Sequence, residues 1–339
     1  MKAVALTRYL PVSDPASLVD VDLPMPGATG HDLLVRVEAI SVNPVDTKVR
    51  SPKPAVEEKP RVLGWDAAGV VEAVGPAVTQ FQPGDEVFYA GDITRPGSNA
   101  QFQLVDERIV GHKPTSLSFA ESAALPLTSI TAWEALFERL HVDRGGDHRD
   151  QTLLIIGGAG GVGSIAIQLA KMAGLIVITT ASRPESRQWV LDLGADHVLD
   201  HREPLAPQLS LLGFTEVDFI ANFNDTDAYW KAMAELIRPQ GHIVSIVENK
   251  NPLDLNLLKS KSATFAWEFM FTRAMFQTPD MAAQADLLDN IATLIDGEKL
   301  RTTVGEIVSP INAENLRAAH AKLESGRTIG KLILSGWPA

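Results

Sequence analysis

Between residues 150 and 250 the chain alternates short aliphatic runs with longer stretches whose apolar positions recur every three or four residues. The runs at 152–156, 175–180, 197–200, 217–221 and 242–247 predict strands buried on both faces, since such strands carry apolar residues at consecutive positions. Helical spacing fits 164–173, 184–193 and 227–237, the second opened by Pro184 at a first-turn position. This order predicts a parallel, doubly wound sheet. Residues 1 to about 120 read instead as short strands. Polar and apolar residues alternate through Leu34, Arg36 and Glu38, and turn signals stand at Pro24-Met25-Pro26-Gly27 and Pro83-Gly84-Asp85. Ser118-Phe119-Ala120-Glu121 matches a capping box and opens a helical region to about Leu140, interrupted near Pro126. Beyond residue 273 a helix over 280–296 and a strand over 331–335 are expected.

Leu153 to Ala170 contains no charge, which raises the question of a membrane span. Its length is at the lower edge for one, and the glycines in its middle argue against it. Ile165, Leu169 and Met172 share one helical face after them, and Gly174 supplies a left-handed residue to end the helix. The segment is therefore strand, glycine turn, helix. The turn, Gly158-Ala159-Gly160-Gly161-Val162-Gly163, is a GxGxxG. Glycines at that spacing permit a tight turn, close approach of backbone amides to a pyrophosphate, and packing of the helix on the strand. The helix N-terminus adds unpaired donors and a positive dipole end.

The chain has 339 residues, enough for two domains, and 45% apolar with 21% charged residues is ordinary for a globular protein. A net charge of −12 without a basic run argues against a nucleic-acid surface, which needs Lys and Arg to neutralise phosphates. The apolar stretch near the N-terminus is too short for a signal-peptide core, so the expected location is the cytoplasm, with no membrane association. Cysteine is absent, which removes disulfides, thiol nucleophiles and thiolate zinc sites together. His197 and His201, four apart on an expected strand, are about 13 Å from one another, too far to share an ion.

Three motifs occur in order: 64-GWDAAGVVEAVG-75 with 83-PGDEVFYAG-91, then 157-GGAGGVGS-164, then 330-GKLIL-334. Together they resemble the medium-chain dehydrogenase/reductase superfamily over nearly the whole chain. Within it, 43-NPVDTK-48 and the missing cysteines resemble the quinone oxidoreductase branch. Residues 266-AWEFMFTR-273 are similar to the group often labelled "zinc-binding alcohol dehydrogenase family protein". The resemblance implies an α/β protein: a GroES-like, β-rich catalytic domain from residues 1–125 and 274–339, and a Rossmann domain over 126–273, with the cofactor in the cleft. Zinc members place a cysteine near Asn43-Pro44 and Gly-His-Glu at Gly64-Trp65-Asp66. Here an indole stands at the second position and cannot bind zinc, so no metal is expected.

The acid that takes the ribose 2′-OH of NAD belongs about twenty residues after the third glycine. That position is Arg183, in Thr180-Ala181-Ser182-Arg183-Pro184, with no carboxylate at the strand end. Ser182 and Arg183 suit a 2′-phosphate, and Arg187 adds charge, so NADPH is the expected cofactor; a plain helix cap at Ser182-Arg183 is the other reading. With Gly158, Gly160, Gly161, Val162 and Gly163, the resemblance implies cofactor contacts from Asn43, Thr128, Thr131, Asn222, Phe223 and Lys331. Without zinc, hydride passes to a quinone or an α,β-unsaturated carbonyl, and the oxyanion needs donors; Asn43, Lys48 and Tyr89 are the candidates. Asp46 is read as orienting Lys48 or the backbone, and Trp65, with Tyr89, as lining the substrate pocket. A zinc-type alcohol dehydrogenase and a non-catalytic NADPH-binding protein are the alternatives. The resemblance also implies a homodimer formed through the Rossmann sheet edge around residues 242–265.

Overall fold

The computed structural model describes residues 1–338. The chain divides into two compact units, Met1–Ile130 with Phe271–Ala339, and Thr131–Met270.

The second unit is a six-stranded parallel sheet in the order His197–Leu199, Ile176–Thr180, Thr152–Ile156, Val217–Asn222, Ile237–Ser245, Thr264–Trp267. Thr152–Ile156 is wholly buried, with Leu154 between Ile178 and Ile220 of its neighbours. That double burial is why the run is uniformly aliphatic. The helices Gly161–Met172, Pro184–Asp192 and Thr226–Leu236 fall close to the expected spans, and Gly174 has a φ of 86°. Trp230, Met233 and Leu236 of the third pack on Leu154, Ile220 and Ile243. The strand order reverses between Thr152–Ile156 and Val217–Asn222, the place where doubly wound sheets open a crevice at their carboxyl ends.

The first unit is β-rich. Its larger sheet centres on Asp32–Val42, which pairs antiparallel with Ala67–Val74 and with Lys331–Ser335. A separate three-stranded sheet joins Val19–Asp22, Lys2–Tyr9 and Lys53–Val62. Ser118 and Glu121 form the expected reciprocal capping box, Ser118 N donating to Glu121 Oε2 at 2.9 Å. These sheets place the carboxyl end of Asp32–Val42 beside residues 65–66 and the start of Lys331–Ser335.

Among the elements outside the sequence expectations are the helices Pro44–Arg50 and Leu205–Leu211 and the strands Lys53–Val62 and Thr264–Trp267. The expected helical region near Leu140 ends as a π-helix, Glu134–Arg139. Among the described residues, no helix is long and apolar enough to cross a membrane.

Candidate active site

In the first unit, Asn43 caps the helix Pro44–Arg50, with Pro44 pre-set at the first helical position. The backbone N–H of Asn43 donates to Asp46 Oδ2 at 2.7 Å, so Asp46 orients the backbone rather than Lys48. Asp46 is buried, and that burial, opposed by the Asn43 N–H, lifts its carboxyl to about 7. The Asn43 side chain points to a buried ion pair. Its Nδ2 donates to Asp66 Oδ2 at 2.8 Å and to the Trp65 carbonyl at 3.3 Å, and its Oδ1 accepts from Lys331 Nζ. Lys331 also donates to Asp66 Oδ2 at 3.0 Å and to Val42 O at 3.2 Å. Leu127 N completes Asp66, donating to Oδ1 at 2.7 Å. Burial pushes Asp66 upward while Lys331 and the Leu127 amide oppose it.

This arrangement changes three of the expected roles. Both N–H groups of the Asn43 amide are already engaged, so Asn43 has no donor left for an oxyanion; one Oδ1 lone pair is still open to a donor such as a ribose hydroxyl. All three donors of Lys331 are spent within the protein, and its ammonium positions Asn43 and Asp66. Thr128 donates into its own helix, to Leu125 O at 3.1 Å and Ala124 O at 3.3 Å, so its hydroxyl is left to a cofactor only as an acceptor. Asp66 is the member of the cluster that sequence reading missed. Its signal was present beside Trp65, but its partner lies 265 positions along the chain.

Trp65 and Tyr89 are both fully buried, and neither Trp65 Nε1 nor Tyr89 Oη has a hydrogen-bond partner. Tyr89 stands opposite Ala67 in the sheet, and Trp65 meets the ring of Phe271 edge-on at 6.1 Å. Burial holds the Tyr89 phenol far above its ordinary range, so it is a donor and not a base. Lys48 lies exposed on the same short helix as Asp46.

In the second unit the glycine turn is shaped by close contacts. A Cβ on Gly158 would lie 1.9 Å from Thr179 Oγ1, and one on Gly163 would lie 2.3 Å from Gly157 O. A Cβ on Gly160 would meet nothing nearer than Gly157 O at 3.6 Å, so this position of the turn has room. No side chain caps the helix Gly161–Met172, so its first-turn amides, those of Gly161, Val162 and Gly163, have no side-chain acceptor from the N-cap residue. Trp189 Nε1 pins the first turns of that helix through Ser164 Oγ at 2.8 Å.

At the end of Ile176–Thr180 the backbone of Arg183 takes part in the cap of Pro184–Asp192, its N–H donating to Ser186 Oγ at 3.2 Å. Its guanidinium lies 3.4 Å from Glu185. Arg187 is committed further: it donates to Ala181 O at 3.2 Å and Val198 O at 3.1 Å, bracing the loop. Arg202, which sequence reading missed, donates to Ser182 O at 3.1 Å while pairing with Asp200. Asn222 is fully buried, its amide donating to Ser245 Oγ at 3.2 Å, so its side chain ties two strand ends together. Phe223 continues the pairing, its N–H donating to Ile156 O at 2.9 Å. Thr131 is buried on its helix.

These residues fit a nicotinamide dinucleotide: an open glycine turn, uncapped amides and arginines about the end of the second strand. They do not fit zinc. Asp66 is consumed by Lys331, Trp65 has no lone pair to give, and among the described residues no three His, Cys, Asp or Glu side chains are grouped to hold a metal.

Comparison with known proteins agrees with this fold. The alcohol dehydrogenase GroES-like domain family matches residues 29–132 and the zinc-binding dehydrogenase family residues 193–334. A zinc-type alcohol dehydrogenase-like protein of Staphylococcus aureus is 48% identical over 311 residues, 91% of this chain and 92% of its own. A crystal structure from Rhizobium etli, of a protein whose name places it with the zinc-dependent alcohol dehydrogenases, is 52% identical and superposes with a TM-score of 0.95, covering 100% of this chain and 99% of its own. A quinone oxidoreductase of Pseudomonas syringae pv. tomato is 28% identical with a TM-score of 0.82, over 98% of this chain and 99% of its own. With its GroES-like and Rossmann folds, its glycine turn and these relatives, the chain belongs to the medium-chain dehydrogenase/reductase superfamily and is an oxidoreductase.

Proposed function

We propose that this protein is a zinc-independent, NADPH-dependent cytoplasmic reductase of quinones or α,β-unsaturated carbonyl compounds. The first unit is its catalytic domain and Thr131–Met270 its cofactor domain. The observation that carries the reading is the pair of buried, unpartnered donors, Trp65 Nε1 and Tyr89 Oη. A buried N–H or O–H without an acceptor costs about 1–3 kcal/mol, and a substrate carbonyl oxygen would recover it. Bound NADPH supplies the hydride. The phenol of Tyr89, held protonated, stabilises the oxyanion that develops, and exposed Lys48 adds positive charge. Asn43 offers its free Oδ1 lone pair to the cofactor, its amide orientation fixed by Lys331 and Asp66.

Ser182 and Arg183 support NADPH over NADH, with Arg187 and Arg202 holding the loop between them. No carboxylate stands at the strand end where a ribose 2′-OH would require one: Glu185 is the second residue of the following helix and lies against Arg183, and Asp200 is neutralised by Arg202. The names of the Staphylococcus and Rhizobium relatives favour a zinc alcohol dehydrogenase instead, but the donor set around Trp65 and Asp66 does not support that alternative. The test is oxidation of NADPH against a panel of quinones, enones and aldehydes, with NADH in parallel. Turnover of quinones or enones with NADPH is expected. Activity restricted to alcohols with NAD and dependent on added zinc would overturn the reading.

A further inference from the structure

Within the second unit the strands Ile176–Thr180 and His197–Leu199 run parallel with Thr180 beside Leu199, and the N–H of Ala181 donates to Leu199 O at 2.9 Å. The segments that follow, 181–183 and 200–202, therefore leave the carboxyl edge of the sheet side by side. One carries Ser182-Arg183 and the other Asp200-His201-Arg202. The second segment is held firmly by the helix Leu205–Leu211. Gln208 accepts from the N–H of Asp200 at 2.7 Å and donates to Asp200 O at 2.9 Å, and the N–H of Glu203 closes the turn on the same carbonyl at 3.1 Å.

Arg202 bridges the two segments. Its Nε donates to Asp200 Oδ1 at 2.9 Å, and its Nη2 donates to Asp200 Oδ2 and, at 3.1 Å, to Ser182 O. Nη1 has no partner among the described residues, and the side chain is 63% exposed. A guanidinium with five donors thus spends three within the protein and leaves two beside Ser182, at the end of the strand where the 2′ substituent of a dinucleotide is read. The same contact hides an acid. Arg202 holds the Asp200 carboxyl far below the usual carboxylate range, so it is ionised, and its charge is taken up by the guanidinium. Without Arg202 this edge would present the bare carboxylate that suits a ribose 2′-OH and repels a phosphate. An ion pair open to solvent contributes little to the fold, so a phosphate dianion competes for the guanidinium at small cost.

We infer that Arg202 and Asp200 together discriminate between the two nicotinamide cofactors: Arg202 donates to the 2′-phosphate of NADPH and, by its pairing, masks Asp200, whose carboxylate would otherwise accept the ribose 2′-OH of NADH. The inference rests on the NADPH reading above and adds to it a second guanidinium, from the loop after His197–Leu199, and an acid held in reserve. Removing Arg202 then acts twice. The phosphate loses two donors and meets a carboxylate, while the 2′-OH gains an acceptor.

Titration calorimetry on the full chain with NADPH, NADH, 2′,5′-ADP and 5′-AMP reads binding without turnover. Arg202→Gln should weaken NADPH and 2′,5′-ADP by about 100-fold and tighten NADH by about three- to tenfold. Asp200→Asn should tighten NADPH by about threefold and leave NADH within about twofold. In the double variant about tenfold of the lost NADPH affinity should return and the gain in NADH should vanish. That recovery separates discrimination from mere bracing of the Ser182 loop, which Asp200→Asn cannot repair. Equal losses of NADPH and NADH in Arg202→Gln, or no recovery in the double variant, would overturn the proposal. A wild type that binds 2′,5′-ADP no tighter than 5′-AMP fails the NADPH reading and the phosphate contact with it, whereas the masking of Asp200 is still decided by the effect of Arg202→Gln on NADH.

Discussion

His320 provides the sharpest test of the physics of the first unit. It is fully buried on the helix Ala313–Glu324, and its Nδ1 accepts from Arg50 Nε at 3.2 Å. Arg50 is itself buried, donating also to Leu10 O at 2.6 Å and to Glu324. Protonating His320 would set a second cation against that guanidinium with no water to screen it. Burial, then Arg50, therefore lowers the imidazole from 6.5 to about 3. A base with a lowered folded pKa stabilises the fold above its unfolded value, and this stabilisation is lost as pH falls from 6.5 towards about 3. Between about pH 7 and about pH 4.5 the loss amounts to about 2.5 kcal/mol. His320→Asn keeps an acceptor near the Nδ1 position and does not titrate. Urea unfolding of both proteins at the two pH values gives the difference directly, because every other titrating group cancels between them. The variant, although less stable at neutral pH, should lose about 2.5 kcal/mol less than the wild type on acidification. Equal losses within about 0.5 kcal/mol would refute the assignment of a neutral, Arg50-bound imidazole.

Arg183→Ala should weaken NADPH binding by about one to two decades, from a lost charge-assisted contact of about 1.5–3 kcal/mol, and leave NADH nearly unchanged; equal losses would place Arg183 in the fold or at the pyrophosphate. Lys331→Met should destabilise by about 3–5 kcal/mol, since Asp66 is left buried and unpaired, and Asp66→Asn in the same chain should recover much of it; denaturant midpoints decide. Elemental analysis should find less than about 0.1 equivalent of zinc and chelators should not inhibit; one equivalent with chelator-sensitive activity would contradict the donor-set argument. Thr264–Trp267 is an edge strand with an exposed tryptophan, and we propose that it pairs across a two-fold axis; sedimentation should give a dimer at micromolar concentration, dissociated by Trp267→Glu.

The second unit was legible because its strands are buried on both faces and its turn needs glycine, two demands that leave marks at consecutive positions. Thr264–Trp267 escaped because it is short, half-exposed and without alternation. Lys53–Val62, KPAVEEKPRV, reads as a polar loop; it is an outer strand of its small sheet, where two prolines are tolerated. The helix Pro44–Arg50 did announce itself through the cap Asn43, Pro44 and Asp46, but about two turns are too few to show a periodicity. At the site, residue types were readable and their commitments were not. Nothing local in the sequence tells that Lys331 spends its three donors on Val42, Asn43 and Asp66, or that Arg187 is tied to two carbonyls.

The pairing of Lys331–Ser335 with the carboxyl end of Asp32–Val42 bears on how the protein is made. On the ribosome the N-terminal segment emerges early but lacks the strand that covers one flank of its central one, and lacks the ammonium that neutralises Asp66. Thr131–Met270 is continuous in sequence and has all of its own strands as soon as it has been synthesised. The inserted unit should therefore mature during translation, while the interrupted one waits, with an open sheet flank, for the last residues to arrive. That interval is when a chaperone would matter most, and stop codons or fusions that disturb residues 331–335 should cause aggregation rather than a folded but inactive protein.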